Sequence, residues 1–277
     1  NAAGCESVEA HRLFSSRKIG RSKCHRYGVY HATARINRSL HYWPFRLEDK
    51  IMDKMPLDNH IVSNFDEELL SIRDKTLKMG STVLSQLESA LKAIGDADDL
   101  LATKVINKEA KVDDMEIDID EACILIIVKR QPTASDLRFI MSVGRAVGDL
   151  ERIGDEAKKI ARQAIDLVEN GASPKGYTEV RHIGKSVTTM LDHALTAFAN
   201  LDAAAALEVL KEDEQIDLDY KTALRELMTY MMEDPRSISR VMNVLWVIRS
   251  LERVGDHAKN LCEQIVFIVK GEDIRHT

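Results

Sequence analysis

The segment Leu150-Glu151-Arg152-Ile153-Gly154-Asp155 returns as Leu251-Glu252-Arg253-Val254-Gly255-Asp256. Each copy places a glutamate and an aspartate four residues apart in a strongly helical stretch. On a helix this spacing sets the carboxylates side by side, and like charges there cost about 0.2–0.5 kcal/mol per pair. Carboxylates kept against their own repulsion point to a bound cation. Two further pairs share the spacing: Glu109 with Asp113, and Asp213 with Asp217. All-oxygen ligands suit magnesium, manganese or iron better than zinc, which also accepts carboxylates, and bridging carboxylates can gather several ions into a cluster. The plainer alternative is a set of solvated ion pairs, Asp155 with Lys158 or Lys159 and Asp256 with Lys259, each of little energetic weight. Four matched pairs favour metal over that alternative.

Other candidates carry less. Glu179-x-x-His182 is half of a di-iron carboxylate motif, and the second copy that chemistry requires is missing. His193 and His257 stand at no ligand spacing, and Glu116 and Asp120 read as solvated extensions of an acidic flank. No glycine loop could cradle a phosphate, and no Ser/His/Asp order suggests a nucleophile.

Six helices must position the carboxylates. Helix one runs from about Asn64 to Ile94, capped by Ser63, and buries Phe65, Leu69, Ile72, Met79, Val83, Leu87, Ala90 and Ile94. Gly95-Asp96 breaks it, and Asp96 with Asp99 opens helix two, which continues to about Lys129. Helix three follows Pro132-Thr133 with a seam of Ile140, Val143, Val147, Leu150, Gly154, Ala157, Ala161, Ala164 and Val168. Its steps of three and four are those of an antiparallel bundle. Moving each position on by 101 gives Val241, Val244, Ile248, Leu251, Gly255, Ala258, Cys262, Ile265 and Val269, all apolar or glycine. Helices four (about 178–201) and five (about 202–232) lie between, and Asp234-Pro235 opens helix six. The Glu109 and Asp113 pair recurs 104 positions on, so the connection before helix six is three residues shorter.

The predicted fold is all-α: two tandem antiparallel three-helix bundles, six long helices related by internal duplication. Residues 52–170 form the first repeat and 171–277 the second, joined by a linker at Asn170 to Gly176. Glu151 and Asp155 each follow a seam residue, as does Asp113 after Val112, so the acids of facing antiparallel helices meet along one groove per repeat. Gly154 and Gly255 suggest close approach of the opposing helix. Cys262 reads as a small buried residue.

Composition agrees. The 277 residues are 44% apolar and 30% charged, with only 13 Gly and 5 Pro, a profile of long amphipathic helices. Net charge is −6, yet residues 1–50 carry ten Lys/Arg against four acids. That basic, irregular stretch of 1–51 reads as translated upstream sequence ahead of a start at Met52 or Met55, with a nucleic-acid-binding arm as the weaker alternative. Residues 52–277 hold no basic patch for nucleic acid. The four scattered cysteines fit a reduced, cytoplasmic setting. No apolar run nears the roughly 20 residues that span a bilayer. The longest, Cys123 to Val128, reads as a core segment.

The paired motifs, with the stretches 129–138 and 227–234 and the ending Val269-Lys270-Gly271, resemble the PhoU family of phosphate-specific transport accessory proteins across about residues 52–277. The resemblance implies a cytoplasmic, homodimeric, non-enzymatic regulator that restrains the phosphate-starvation response. Its implied partners are a phosphate-sensing histidine kinase and the ATPase subunit of the phosphate ABC transporter. It also implies a multinuclear metal cluster (iron, manganese, magnesium or zinc) on Glu109, Asp113, Glu151 and Asp155, and on Asp213, Asp217, Glu252 and Asp256. Asp213 departs from the glutamate at the matching first position, Glu109. The alternatives are a carboxylate-bridged metalloenzyme and a metal-free structural bundle.

Overall fold

The computed structural model describes residues 63–169 and 178–275. The expectations for residues 1–51, the Ser63 side-chain cap and the linker at 170–176 lie outside the described residues. Six helices follow in order: α1 (Ser63–Asp96), α2 (Asp99–Arg130), α3 (Ala134–Glu169), α4 (Thr178–Asn200), α5 (Ala203–Glu233) and α6 (Ile238–Lys270), with a 3-10 turn Pro235–Ser237 ahead of α6. The duplicated seam accounts for them. Ile140 through Ala164 on α3 and Val241 through Ile265 on α6 are buried at every expected position, Gly154, Gly255 and Cys262 included. Burial pushes the Cys262 thiol up to about 12, which makes it inert.

Each repeat is an antiparallel three-helix bundle, α1 to α3 and α4 to α6. The buried faces of α3 and α6 are the widest: α3 packs on α1, α2 and α6, and α6 on α3, α4 and α5. The antiparallel α3–α6 contact joins the repeats. Arg138 Nε donates to the Ile268 carbonyl at 3.1 Å, and Arg253 Nη1 meets Glu156 at 3.2 Å. Between them His257 and Asn260 contact Asp149 at 2.9 and 3.0 Å.

The α1–α4 crossing is reciprocal. A Cβ at Gly184 would lie 2.8 Å from Leu91 Cδ2, and one at Gly80 would lie closer still to Leu195 Cδ2. Residues 80 and 184, and 91 and 195, occupy equivalent places in the two repeats. Each helix therefore seats a leucine on the other's glycine. Both repeats share one continuous core.

The helix turns differ from the expected ones. Gly95 remains helical, and the left-handed residues are Ala97 (φ 53°) and its equivalent Leu201 (φ 49°). Asp98, rather than Asp96, caps α2 by accepting from the Leu101 N–H at 2.8 Å, and Asp202 caps α5 in the same way. The turn is set there because the Asp98 N–H also reaches back to the Ala93 carbonyl at 2.9 Å, closing the end of α1. The missing three residues lie where expected, between α5 and α6.

The apolar run Cys123 to Val128 is only partly core. Cys123 and Ile126 are buried, whereas Ile124, Leu125 and Val128 are 60%, 50% and 70% exposed. A continuous run wraps the whole circumference of a helix, and only one stripe of α2 faces its bundle. Four of the exposed apolar positions recur: Ile124 with Met228, Val128 with Met232, Leu137 with Ile238, and Met141 with Met242.

Candidate metal site

The α2–α3 interface is antiparallel, so positions that descend along α2 ascend along α3. Glu109 lies by Lys158, Val112 by Gly154, and Asp113 and Glu116 by Glu151. The α5–α6 interface repeats this with Asp213 by Lys259 and Ile216 by Gly255, while Asp217 lies by both Glu252 and Asp256. The structure thus lines Glu109, Asp113, Glu151 and Asp155 along one groove and Asp213, Asp217, Glu252 and Asp256 along the other. Most are half-buried, Asp213 is buried, and Asp256 keeps an exposed edge.

Electrostatics follow from that crowding. Burial, then the Asp155 and Asp113 carboxylates, raise Glu151 above its ordinary pKa. Burial, then Asp256, raise Glu252 against the lowering effect of Arg249. Burial, then Asp213 and Asp217, raise Asp256. Each shift marks first a carboxylate's loss of solvent and then a crowding of like charge that calls for compensation.

Two lysines supply part of it. Lys158 contacts Glu109 across the α2–α3 groove, and Lys259 Nζ lies 3.0 Å from Asp213 Oδ2 across the other. The plainer alternative, which paired these lysines with the aspartates of their own helix, does not describe them. They bridge between helices, each holding the first acid of the α2 or α5 pair. Burial and the neighbouring Arg162 and Lys159 push Lys158 down, whereas the hydrogen bond to Asp213 pushes Lys259 up.

The donor set fits a hard cation. It is all carboxylate, and Glu252 Oε2 is buried with no hydrogen-bond partner while Oε1 accepts from Arg249 at 3.0 Å. A buried oxygen left unsatisfied is costly, and a cation would satisfy it. Among the described residues, however, no three side chains already converge on one point as a preformed metal cage. The ammonium groups stand where positive charge is needed.

Glu116 belongs to the first groove, contrary to the expectation that it is solvated. It is half-buried, and burial, Glu151, Asp120 and Asp113 raise its pKa. The same rule that selects Asp113, one place after a seam residue, selects Glu116 after Met115. Asp120 is exposed, as expected, although it rests against Gly144. Gly154 and Gly255 do not mark forced approach: a Cβ at Gly154 would stand 3.5 Å from Val112 Cγ1, an ordinary contact, and one at Gly255 3.6 Å from Asp213 Oδ1. His182 and His193 form surface pairs with Asp219 and Glu212, away from both grooves.

Comparison with known proteins agrees with the duplicated fold. The PhoU domain model matches residues 76–164 and again 180–265, once per repeat. A phosphate-specific transport system accessory protein PhoU homolog from Pseudomonas aeruginosa is 52% identical over 226 residues, 82% of this chain and 93% of the relative. The accessory protein PhoU of Escherichia coli is 44% identical over 81% of this chain and 93% of its own length. The crystal structure of PhoU from Pseudomonas aeruginosa superposes with a TM-score of 0.73 at 53% identity, covering 75% of this chain and all of that one. The PhoU structure from Streptococcus pneumoniae, a phosphate transport system regulatory protein, gives 0.70 at 32% identity, covering 76% of this chain and 99% of that one.

Proposed function

The chain belongs to the PhoU domain family, and from that premise we propose that it is a cytoplasmic, non-enzymatic regulator of phosphate uptake. It restrains the phosphate-starvation response when phosphate is plentiful, by contacting a phosphate-sensing histidine kinase and the ATPase subunit of the phosphate ABC transporter, and it works as a homodimer. The relatives' names support the coarser role, since they are accessory proteins of phosphate transport. No helix among the described residues is long and apolar enough to cross a membrane.

The single observation that carries the metal half of this reading is the doubled carboxylate groove with its incomplete internal neutralisation. Glu109, Asp113, Glu151 and Asp155 would hold ions in one groove, and Asp213, Asp217, Glu252 and Asp256 in the other. Bound cations would neutralise the groove and tie α2 to α3 and α5 to α6, fixing one packing of each pair. The helix surface that partners meet would then depend on metal occupancy. The exposed apolar pairs at the α2–α3 and α5–α6 ends supply surface of the kind an adaptor leaves bare.

Replacing Glu151 and Asp155 together by Ala tests both halves. Bound metal should fall, and phosphate-responsive genes should be expressed at high phosphate. Metal content equal to that of the unaltered protein would remove the metal claim. Normal repression in a metal-depleted variant would separate the metal from regulation.

A further inference from the structure

We propose that the two grooves are unequal cation sites: the α2–α3 groove takes up divalent metal first, and the α5–α6 groove is held back by the protein's own guanidinium, Arg249. This rests on the metal reading above and concerns the order in which the sites fill.

The repeats diverge at three equivalent positions around otherwise matched acids. Glu116 adds a carboxylate beside Glu151, and its counterpart on α5 is Tyr220. Gly148 leaves α3 bare where α6 carries Arg249. Arg249 Nη1 donates to Glu252 Oε1 at 3.0 Å, and Tyr220 lies beside Arg249. Ile117 stands on α2 where Lys221 on α5 reaches Asp217 at 3.4 Å. The first groove therefore sets Glu109, Asp113, Glu116, Glu151 and Asp155 against Lys158 and the largely exposed Arg152. The second sets only Asp213, Asp217, Glu252 and Asp256 against Lys259, Arg249 and Lys221.

A metal entering either groove must displace the tethered cations before the carboxylates can turn to it. In the first groove these are Lys158 on Glu109 and Arg152 on Glu151. In the second they are Lys259 on Asp213, Arg249 on Glu252 and Lys221 on Asp217. Lys158 and Lys259 hold equivalent acids, Glu109 and Asp213, so the difference between the grooves lies in the other cations. A guanidinium stays charged at every accessible pH, so Arg249 cannot step aside by losing a proton. The orphaned Glu252 Oε2 shows that Arg249 satisfies only one of the two oxygens, which leaves the second groove weak rather than closed.

The test is a titration of the full chain with Mn²⁺, followed by calorimetry and by bound-metal analysis at each plateau. Two phases are expected. The double change Glu151→Gln with Asp155→Asn should abolish the tighter phase, and Glu252→Gln with Asp256→Asn the weaker. Glu116→Gln should weaken the tight phase about tenfold, the effect of one neighbouring charge worth about one pK unit. Arg249→Ala should tighten the weak phase by a similar factor, and Arg249→Lys, which keeps the charge, should change it less. Equal affinities in the two grooves, assignment of the weak phase to the α2–α3 groove, or no response of the weak phase to Arg249→Ala would each overturn the proposal and leave the metal reading standing. Failure of the unaltered protein to bind Mn²⁺ in either groove would overturn the metal reading and this proposal with it.

Discussion

Glu151 and Glu252 lie in helix-lined grooves beside other carboxylates, and each is raised by burial first and by Asp155 or Asp256 second. A folded-state pKa above the unfolded value means that the folded protein favours the protonated form. The associated stability is fully present below the unfolded pKa and is lost as pH rises through the folded one. The metal-free protein should therefore gain stability from these groups as pH falls from neutral toward the carboxylate range. Replacing both by Gln fixes the neutral form. In chelator, Glu151→Gln with Glu252→Gln should raise Tm at pH 7 and lose that advantage near pH 4, about where a free glutamate protonates. A lower Tm at pH 7 would mean that Arg152 and Arg249 compensate these carboxylates fully. The acids themselves were legible in the sequence because a side chain one place past a seam residue points along the seam's flank. Consistent use of that rule also finds Glu116, Lys158, Arg249 and Lys259. The partners were not legible, because Lys158 reaches Glu109 and Lys259 reaches Asp213 across an interface. An i, i+4 count sees only neighbours on one helix.

Among the helices, two glycines set the closest approach. Gly80 and Gly184 receive Leu195 and Leu91 at the α1–α4 crossing, closer than a Cβ would allow. Gly80→Ala and Gly184→Ala each push a methyl against a leucine Cδ, so overpacking offsets the roughly 1 kcal/mol of helix propensity gained and leaves both less stable than Gly154→Ala. Gly154→Ala should be neutral or stabilising, because a methyl there meets Val112 at ordinary contact distance and Gly costs a helix about 1 kcal/mol against Ala. Denaturant midpoints of the three variants decide the matter, and equal losses would mean that the α1–α4 crossing is no tighter than the α2–α3 one. The sequence drew attention to Gly154 and Gly255 because they sit in the repeated motif. The pair that governs close packing lies in α1 and α4, whose contact joins residues about a hundred positions apart and leaves no local period. The six helices, by contrast, were legible through the 3.6-residue pattern alone. Their ends shifted because Ala97 and Leu201, not the nearby Gly95, adopt the left-handed turn.

At the scale of the molecule, the duplication builds one core with two grooves and two bare apolar ends. Ile124, Val128, Met228 and Met232 on α2 and α5 stand exposed among the described residues. Ile124→Glu combined with Met228→Glu should lower capture of the transporter ATPase subunit or the sensor kinase and leave metal content and Tm unchanged. Unchanged capture of both would place the docking surface elsewhere. The run from Cys123 to Val128 looked like core because hydrophobicity is legible in a sequence while the side of a helix left uncovered is not. Only the packing of α2 against α1 and α3 shows that Ile124, Leu125 and Val128 face outward.

The doubled carboxylate grooves should hold metal. Elemental analysis of protein purified without chelator, beside a variant with all eight groove acids (Glu109, Asp113, Glu151, Asp155, Asp213, Asp217, Glu252 and Asp256) changed to Gln or Asn, tests it most directly. Iron, manganese, magnesium or zinc should co-purify with the unaltered protein and none above background with the variant, both folded by circular dichroism. Equal metal in the two, or none in the unaltered protein, even after incubation with these ions, would contradict it.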